Sequence, residues 1–216
     1  MSQDLSRIRA IIFDLDGTLY VSPEFAATIQ NAAAGYLAGI KGISADQADR
    51  LMATTRGILT EETGGMPTLS AVCTRLGGNV RDLHAFFEEC LHPESHLIRD
   101  ERVIILLERL AQRAPLYLFT NNNRALTKRI IDILGLKGLF RQIYAIDDTW
   151  RAKPDESMLD RILAEAGLMP SEALFVGDRY DVDLRLPEQR GCPVYLSQSV
   201  EQLLRLEVIL GSAKTP

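Results

Sequence analysis

Several apolar segments of this chain each end abruptly at a polar residue, and this pattern constrains the fold more than any other feature. They run over 8–13, 115–119, 173–176 and 193–196, and a weaker segment covers 142–146. Short segments that are apolar throughout are typical of strands buried on both faces of a parallel sheet. The sequence therefore predicts a parallel sheet in which the chain turns polar as it leaves each strand.

Helical patterns lie between the later strands of this predicted sheet. Residues 123–134 carry apolar side chains at helical spacing and stop at Gly135, and residues 154–166 begin at a proline and stop at Gly167. Strands that alternate with helices of this length require right-handed crossovers. We therefore expect an α/β protein with a Rossmann-like parallel sheet and helices on both faces.

Residues 21–99 depart from this alternation, because helix follows helix there without a convincing strand. Helical patterns run over 23–37, 44–59 and 79–90. We predict an inserted all-helical cap domain at 21–99, above the carboxyl ends of the strands. The α/β core domain is then formed by residues 1–20 and 100–216.

Composition excludes several classes of protein. The net charge of −5 leaves no basic surface for a nucleic-acid polymer, and no apolar stretch approaches the ~20 residues that span a membrane. Three cysteines at unrelated spacings, Cys73, Cys90 and Cys192, indicate reduced thiols rather than disulfides. We expect a cytoplasmic protein, either a monomer or a homodimer, without a membrane or nucleic-acid partner.

Polar side chains with catalytic potential lie at or beside the predicted strand ends. They are Asp14, Asp16, Thr120, Lys153 and Asp178. In open α/β sheets, ligands bind beyond the carboxyl ends of the strands. Two carboxylates at the tip of a buried strand are costly unless they are held, and a hard divalent cation with oxygen ligands would hold them.

The order and spacing of these residues resemble the motifs of the haloacid dehalogenase-like superfamily. Phe-Asp-Leu-Asp-Gly-Thr-Leu at 13–19 is similar to its first motif and Phe-Thr-Asn at 119–121 to its second. Lys153-Pro154 is similar to the third motif, and Val-Gly-Asp at 176–178, with Asp181 and Asp183, to the fourth. The resemblance implies a magnesium-dependent phosphatase that forms an aspartyl phosphate on a small phosphorylated metabolite.

The resemblance also implies a role for each motif residue in catalysis. Asp14 would be the nucleophile, and Asp16 would protonate the leaving alcohol and then activate water. Thr120 would hydrogen-bond the phosphoryl oxygens, and Lys153 would compensate the negative charge. The backbone amides near Leu15 and Asn121 would complete the phosphate cradle.

The same resemblance implies a magnesium site. The side chain of Asp14, the carbonyl of Asp16 and the carboxylate of Asp178 would hold Mg²⁺ directly. Asp183 is the better match for an outer acid of this site, and Asp181 is the alternative.

The reaction and the substrate stay open at this level. Asp16 favours phosphoryl transfer over carbon–halogen cleavage, but a phosphomutase or a binding protein without catalysis remains an alternative. The motif sequences are similar to those of pyrimidine 5′-nucleotidase-like members of the superfamily, which makes a nucleoside monophosphate a candidate substrate. Phosphoglycolate and sugar phosphates are further candidate substrates. The histidines at 84, 92 and 96 lack metal-ligand spacing, so packing is the simplest interpretation, although the cap residues Arg56, Arg75 and His96 could meet a substrate.

Overall fold

The computed structural model describes residues 5–212 of the chain. Its strands are β1 (Ala10–Phe13), β2 (Leu116–Phe119), β3 (Phe140–Tyr144), β4 (Ala173–Gly177) and β5 (Val194–Leu196). Its α-helices are α1 (Pro23–Lys41), α2 (Ala45–Thr63), α3 (Leu69–Arg75), α4 (Val80–Cys90), α5 (Glu101–Ala111), α6 (Arg124–Leu134), α7 (Glu156–Ala166), α8 (Arg185–Gln189), α9 (Val200–Leu204) and α10 (Leu206–Ser212). A π-helical segment, Tyr180–Leu184, leads into α8.

The strands form one parallel sheet in the order β3-β2-β1-β4-β5. The first strand of the chain, β1, lies at the centre of the sheet and has a later strand on each side, so the strand order reverses beside it. This is the topological switch point at which α/β sheets bind ligands. The pairing of β1 with β4 continues past the strand, because the amide of Asp14 donates to the carbonyl of Val176 at 2.8 Å.

Both faces of the sheet are covered, as the sequence predicts. Alternate residues of a strand point to opposite faces. In β1, Ala10 and Ile12 pack with buried side chains of α7, whereas Ile11 and Phe13 pack into a larger core that includes α5 and α6. The prediction of a Rossmann-like α/β sheet is confirmed.

The chain between β1 and α5 is all-helical within the described residues 21–99. Each helix has a polar N-cap side chain that accepts backbone hydrogen bonds: Ser22, Ser44, Thr68 and Asn79. Buried side chains of α1 to α4 pack together, among them Leu37, Met52, Val72 and Leu83. We call this helical segment the cap. Its status as a separate domain with limits at 21 and 99 stays a prediction, as does the core domain 1–20 plus 100–216, of which residues 1–4 and 213–216 lie outside the described part.

Three details differ from the sequence-based expectation. The third strand begins at Phe140 and ends at Tyr144, and α3 has no counterpart among the predicted helices. Helix α7 begins after Pro154 rather than at it. The reason is that the side chain of Asp155 accepts hydrogen bonds from the amides of Ser157 and Met158 and so caps the helix. None of the helices within residues 5–212 combines the length and the apolar character needed to cross a membrane.

Candidate active site

The predicted catalytic residues meet at the carboxyl edge of the sheet. Asp14 follows β1, Thr120 follows β2, Asp178 follows β4, and Lys153 lies in the segment between β3 and α7. The parallel sheet brings these positions to one edge because all its strands end there. Asp14 occupies the centre of this edge because β1 is the central strand.

Lys153 lies between two carboxylates. Its Nζ atom is 2.6 Å from Oδ1 of Asp14, 2.6 Å from Oδ1 of Asp183 and 2.9 Å from the carbonyl oxygen of Phe119. Burial alone would lower the pKa of this lysine, but the two carboxylates outweigh burial and raise it. The ammonium group is therefore a fixed positive charge beside Asp14, whose other oxygen accepts a hydrogen bond from the Thr18 hydroxyl at 3.1 Å.

Asp14, Asp178 and Asp183 form an acidic cluster. One carboxylate oxygen from each lies within 4.8 Å of those of the other two. Burial raises the pKa of Asp14 well above its ordinary value, and burial with the charge of Asp183 raises that of Asp178 to about 6. Lys153 compensates only part of this crowded negative charge. The oxygen donors and the charge of this cluster fit a hard divalent cation.

Two glycines allow the carboxylates of this cluster to approach one another. Gly17 has φ of 84°, and a Cβ atom placed there would overlap the carboxylate of Asp178. A Cβ atom at Gly177 would likewise overlap the side chain of Asp183. Both positions therefore require glycine for a steric reason. Gly17 also requires it because of its positive φ.

Asp16 has a different environment from Asp14. Its Oδ2 accepts a hydrogen bond from Nδ2 of Asn122 at 2.7 Å, and its Oδ1 accepts one from the Tyr20 hydroxyl. Burial raises the pKa of Asp16, and these two hydrogen bonds oppose that shift. Sequence reasoning missed both partners. Tyr20 offers only its spacing of four residues from Asp16, and Asn122 lies inside a run of three asparagines that does not distinguish it.

The second-motif residues organise the loop that follows β2. The Thr120 hydroxyl accepts a hydrogen bond from the amide of Asn122 at 3.1 Å, and Oδ1 of Asn121 accepts one from the amide of Lys153 at 2.7 Å. Thr120 is buried and does not line the cavity around Asp14, whereas Asn121 does. The amides of Leu15 and Asn121 donate to no group within residues 5–212. That leaves both amides available for the predicted phosphate cradle.

The two candidate acids of the fourth motif have separate positions. Asp183 is buried and touches Lys153, as described above. Asp181 instead pairs with Arg185 and accepts a hydrogen bond from the amide of Met66 in the cap at 3.3 Å. Arg185 in turn donates to the carbonyl of Gly64 at 3.3 Å. The structure thus brings Asp183 to the acidic cluster and Asp181 to the cap.

A cavity of about 430 Å³ lies between the acidic cluster and the cap. Its core wall includes Asp14, Asp16, Asn121, Asn122, Lys153, Asp178 and Asp183, and its cap wall includes residues of α1, α3 and α4. Arg56, Arg75 and His96 do not line it. Arg56 instead donates to Gln30, and Arg75 pairs with Glu62.

Comparison with known proteins places this site in context. The model of the haloacid dehalogenase-like hydrolase family matches residues 8–188. A phosphoglycolate phosphatase of Pectobacterium atrosepticum is 27% identical over 191 residues, which cover 88% of this chain and 80% of that protein. A phosphoglycolate phosphatase of Photorhabdus laumondii is 30% identical over 198 residues, 89% of this chain and 81% of that protein. The crystal structure of a HAD phosphatase from Thermococcus onnurineus superposes with a TM-score of 0.60 at 20% identity and covers 94% of this chain and 98% of its own.

Proposed function

Since the chain belongs to the haloacid dehalogenase-like hydrolase family, we propose that it is a phosphatase that hydrolyses a small phosphate monoester at Asp14. The observation that carries this proposal is the difference between two neighbouring acids. Asp14 faces the ammonium group of Lys153, whereas Asp16 is held by Asn122 and the hydroxyl of Tyr20. Two carboxyl groups in such different environments suit a nucleophile and a proton donor.

In the first step, a carboxylate oxygen of Asp14 attacks phosphorus in line with the ester oxygen. The bond from phosphorus to that oxygen breaks, and Asp16 gives its proton to the departing alcohol. Burial raises the pKa of both acids, which favours the protonated form of Asp16 before this step. At Asp14 the ammonium group of Lys153 opposes the effect of burial, and a bound cation would oppose it further, so that the carboxylate form is favoured there. The amides of Leu15 and Asn121, which donate to no group within residues 5–212, would hydrogen-bond the phosphoryl oxygens.

In the second step, water replaces Asp14 at phosphorus. Asp16, now a carboxylate, takes a proton from this water as the oxygen attacks the aspartyl phosphate. The bond between phosphorus and the Asp14 oxygen breaks, so inorganic phosphate leaves and both acids return to their starting states. The presence of Asp16 favours this chemistry over dehalogenation, for which the superfamily pattern has no acid at that position.

We further propose Mg²⁺ as the ion of the acidic cluster. Asp14 and Asp178 would hold it with the main-chain carbonyl of Asp16, and Asp183 would support the site. The ion would neutralise the charge that otherwise repels a phosphate from these carboxylates. The clustering of the three carboxylates within 4.8 Å supports this assignment.

Hydrolysis of p-nitrophenyl phosphate by the wild type and Asp14→Asn tests the proposal. Activity should depend on added Mg²⁺ and disappear with a chelator. Asp14→Asn should lose at least ~10³-fold in kcat, because the nucleophile is removed and the site is otherwise kept. The exposed Asp46 in α2 supplies a matched control, since Asp46→Asn makes the same chemical change far from the site. Activity of Asp14→Asn within about tenfold of wild type would refute covalent catalysis at this residue.

A further inference from the structure

His84 is a buried polar side chain that the mechanism above does not use. It lies in α4 of the cap, is 2% exposed and lines the cavity that contains Asp14. Neither ring nitrogen has a hydrogen-bond partner within residues 5–212. Leaving buried donors and acceptors unpaired costs ~1–3 kcal/mol, so such a group calls for an explanation.

The position of His84 is fixed by its surroundings. The ring meets Phe87 edge-on, with centroids 5.5 Å apart, and lies 6.4 Å from the ring of Trp150 in the core. The main-chain carbonyl of His84 accepts a hydrogen bond from Nδ2 of Asn123 at 3.0 Å, which joins α4 to the start of α6. His84 therefore has a defined place among the residues that line the cavity. Burial lowers the pKa of His84 to about 4, so at neutral pH the ring is uncharged and offers one donor and one acceptor.

The rest of the cap wall is also uncharged. The cap residues that line the cavity are apolar or neutral: Val21, Ser22, Pro23, Phe25, Ala26, Ile29, Thr68, Leu69, Ser70, His84 and Phe87. The cations of the lining are Lys153 and Arg179, both of which belong to the core. Lys153 is paired with Asp14 and Asp183, and Arg179 lies beside Asp178, whose pKa it lowers. A carboxylate on the leaving group would thus meet no cation of the cap.

We propose that His84 determines substrate specificity by hydrogen bonding to an uncharged polar group of the leaving alcohol. The substrate class is then the monophosphate of a neutral alcohol with hydroxyl, carbonyl or ring-nitrogen groups, rather than a phosphorylated carboxylic acid. This inference rests on the proposed phosphatase function. The cavity of about 430 Å³ is within the ~300–1,000 Å³ range of small-molecule sites, so it has room for an alcohol of sugar or nucleoside size.

The test uses the full chain with Mg²⁺ and measures kcat and KM for nucleoside 5′-monophosphates, hexose phosphates and phosphoglycolate. The wild type should prefer a neutral-alcohol ester to phosphoglycolate by at least ~10-fold in kcat/KM. His84→Phe keeps an aromatic ring but removes both nitrogens. For the preferred ester it should lower kcat/KM about tenfold, mostly through KM, as expected for one lost hydrogen bond. The effect on kcat/KM for phosphoglycolate should be much smaller, so the ratio of kcat/KM between the preferred ester and phosphoglycolate should decrease.

Two further measurements separate recognition from packing. His84→Gln, which keeps a neutral donor and acceptor, should recover part of the lost preference. Because His84→Phe also removes buried unpaired nitrogens, its melting temperature should equal or exceed that of the wild type. His92 supplies the control, since its side chain is 64% exposed in the same cap and His92→Gln should leave the substrate preference unchanged.

The outcomes are distinct. A wild type that favours phosphoglycolate overturns the inference. The inference is also overturned if His84→Phe lowers kcat/KM equally for all esters, or if it melts at a lower temperature than the wild type and keeps the wild-type substrate preference. A wild type that is inactive on every ester, p-nitrophenyl phosphate included, instead refutes the proposed function. The wild-type preference alone is decisive if His84→Phe does not fold.

Discussion

The Nζ atom of Lys153 and the Oδ1 atom of Asp14 lie 2.6 Å apart, although 139 positions separate the two residues in the chain. Both groups are buried, and Lys153 is the main counter-charge of Asp14. Lys153→Met should therefore lower kcat at least ~10²-fold and destabilise the fold by ~3–5 kcal/mol, because it leaves a buried carboxylate unpaired. Kinetics and urea unfolding measure both effects. Lys128 is exposed in α6, so the control Lys128→Met should change neither kcat nor the free energy of unfolding. A Lys153→Met protein with the kcat of the wild type would contradict the role of Lys153 as the counter-charge of Asp14.

Asn122 should act through Asp16 rather than on the substrate directly. Asn122→Ala removes the 2.7 Å hydrogen bond that orients this carboxyl group. Protonation of the leaving oxygen matters most for poor leaving groups, so the loss in kcat should be about tenfold for an alkyl phosphate and clearly smaller for p-nitrophenyl phosphate. Asp16→Asn should show the same dependence with larger losses. Equal losses with both esters would exclude a positioning role for Asn122.

The separate positions of Asp181 and Asp183 predict separate effects on the metal. Asp183→Asn should raise the Mg²⁺ concentration for half-maximal activity ~10–100-fold, as expected when a group that supports metal ligands is lost. Asp181 contacts Arg185 and the cap, so Asp181→Asn should leave the Mg²⁺ requirement within a few-fold of wild type. Titration of activity against Mg²⁺ compares the two variants, and the reverse ranking would favour Asp181 as the acid of the metal site.

Burial of His84 should make the protein sensitive to acid. The pKa of His84 falls from 6.5 to about 4 on folding, so between these pH values the unfolded chain binds more protons. The free energy of unfolding should therefore decrease as the pH falls through this range, by up to about 3 kcal/mol from this residue. Urea unfolding of the wild type and His84→Phe at pH 7 and pH 4.5 measures the difference. The variant should gain stability relative to the wild type at the lower pH, and a constant difference would show that the ring titrates normally.

The sequence predicts the parallel sheet and the motif positions because both depend on local patterns. Apart from β3, each strand is a short apolar segment, and Asp14 and Asp178 directly follow their strands. The parallel sheet alone then brings these ends together. Helix α3 and the bounds of β3 were not predicted because their local sequence patterns are weak. Strand β3, for example, is partly exposed, and the extent of such an element depends on its packing against the rest of the chain.

The partners of the site residues could not be predicted in the same way. Asn122 contacts a carboxyl group 106 positions away, and neither its residue type nor its spacing indicates this. His84 conforms to an ordinary apolar helix face. Only the folded chain shows that it lines a cavity and that its ring nitrogens have no hydrogen-bond partner within the described part of the chain. The separate positions of Asp181 and Asp183 likewise depend on the path of the π-helical segment, which turns Asp183 towards Lys153 and Asp181 towards the cap.

The two glycines that adjoin the acidic cluster bear on which metal ion the cluster could select. Gly17 and Gly177 contribute no ligand atom, yet their missing side chains set how near the carboxylates come to each other. Selection between Mg²⁺ and the larger Ca²⁺ depends on the size and rigidity of the oxygen cage. A single methyl group at either position would widen the cage, so any preference of the proposed site for a small ion would depend on two residues that contribute no ligand to it.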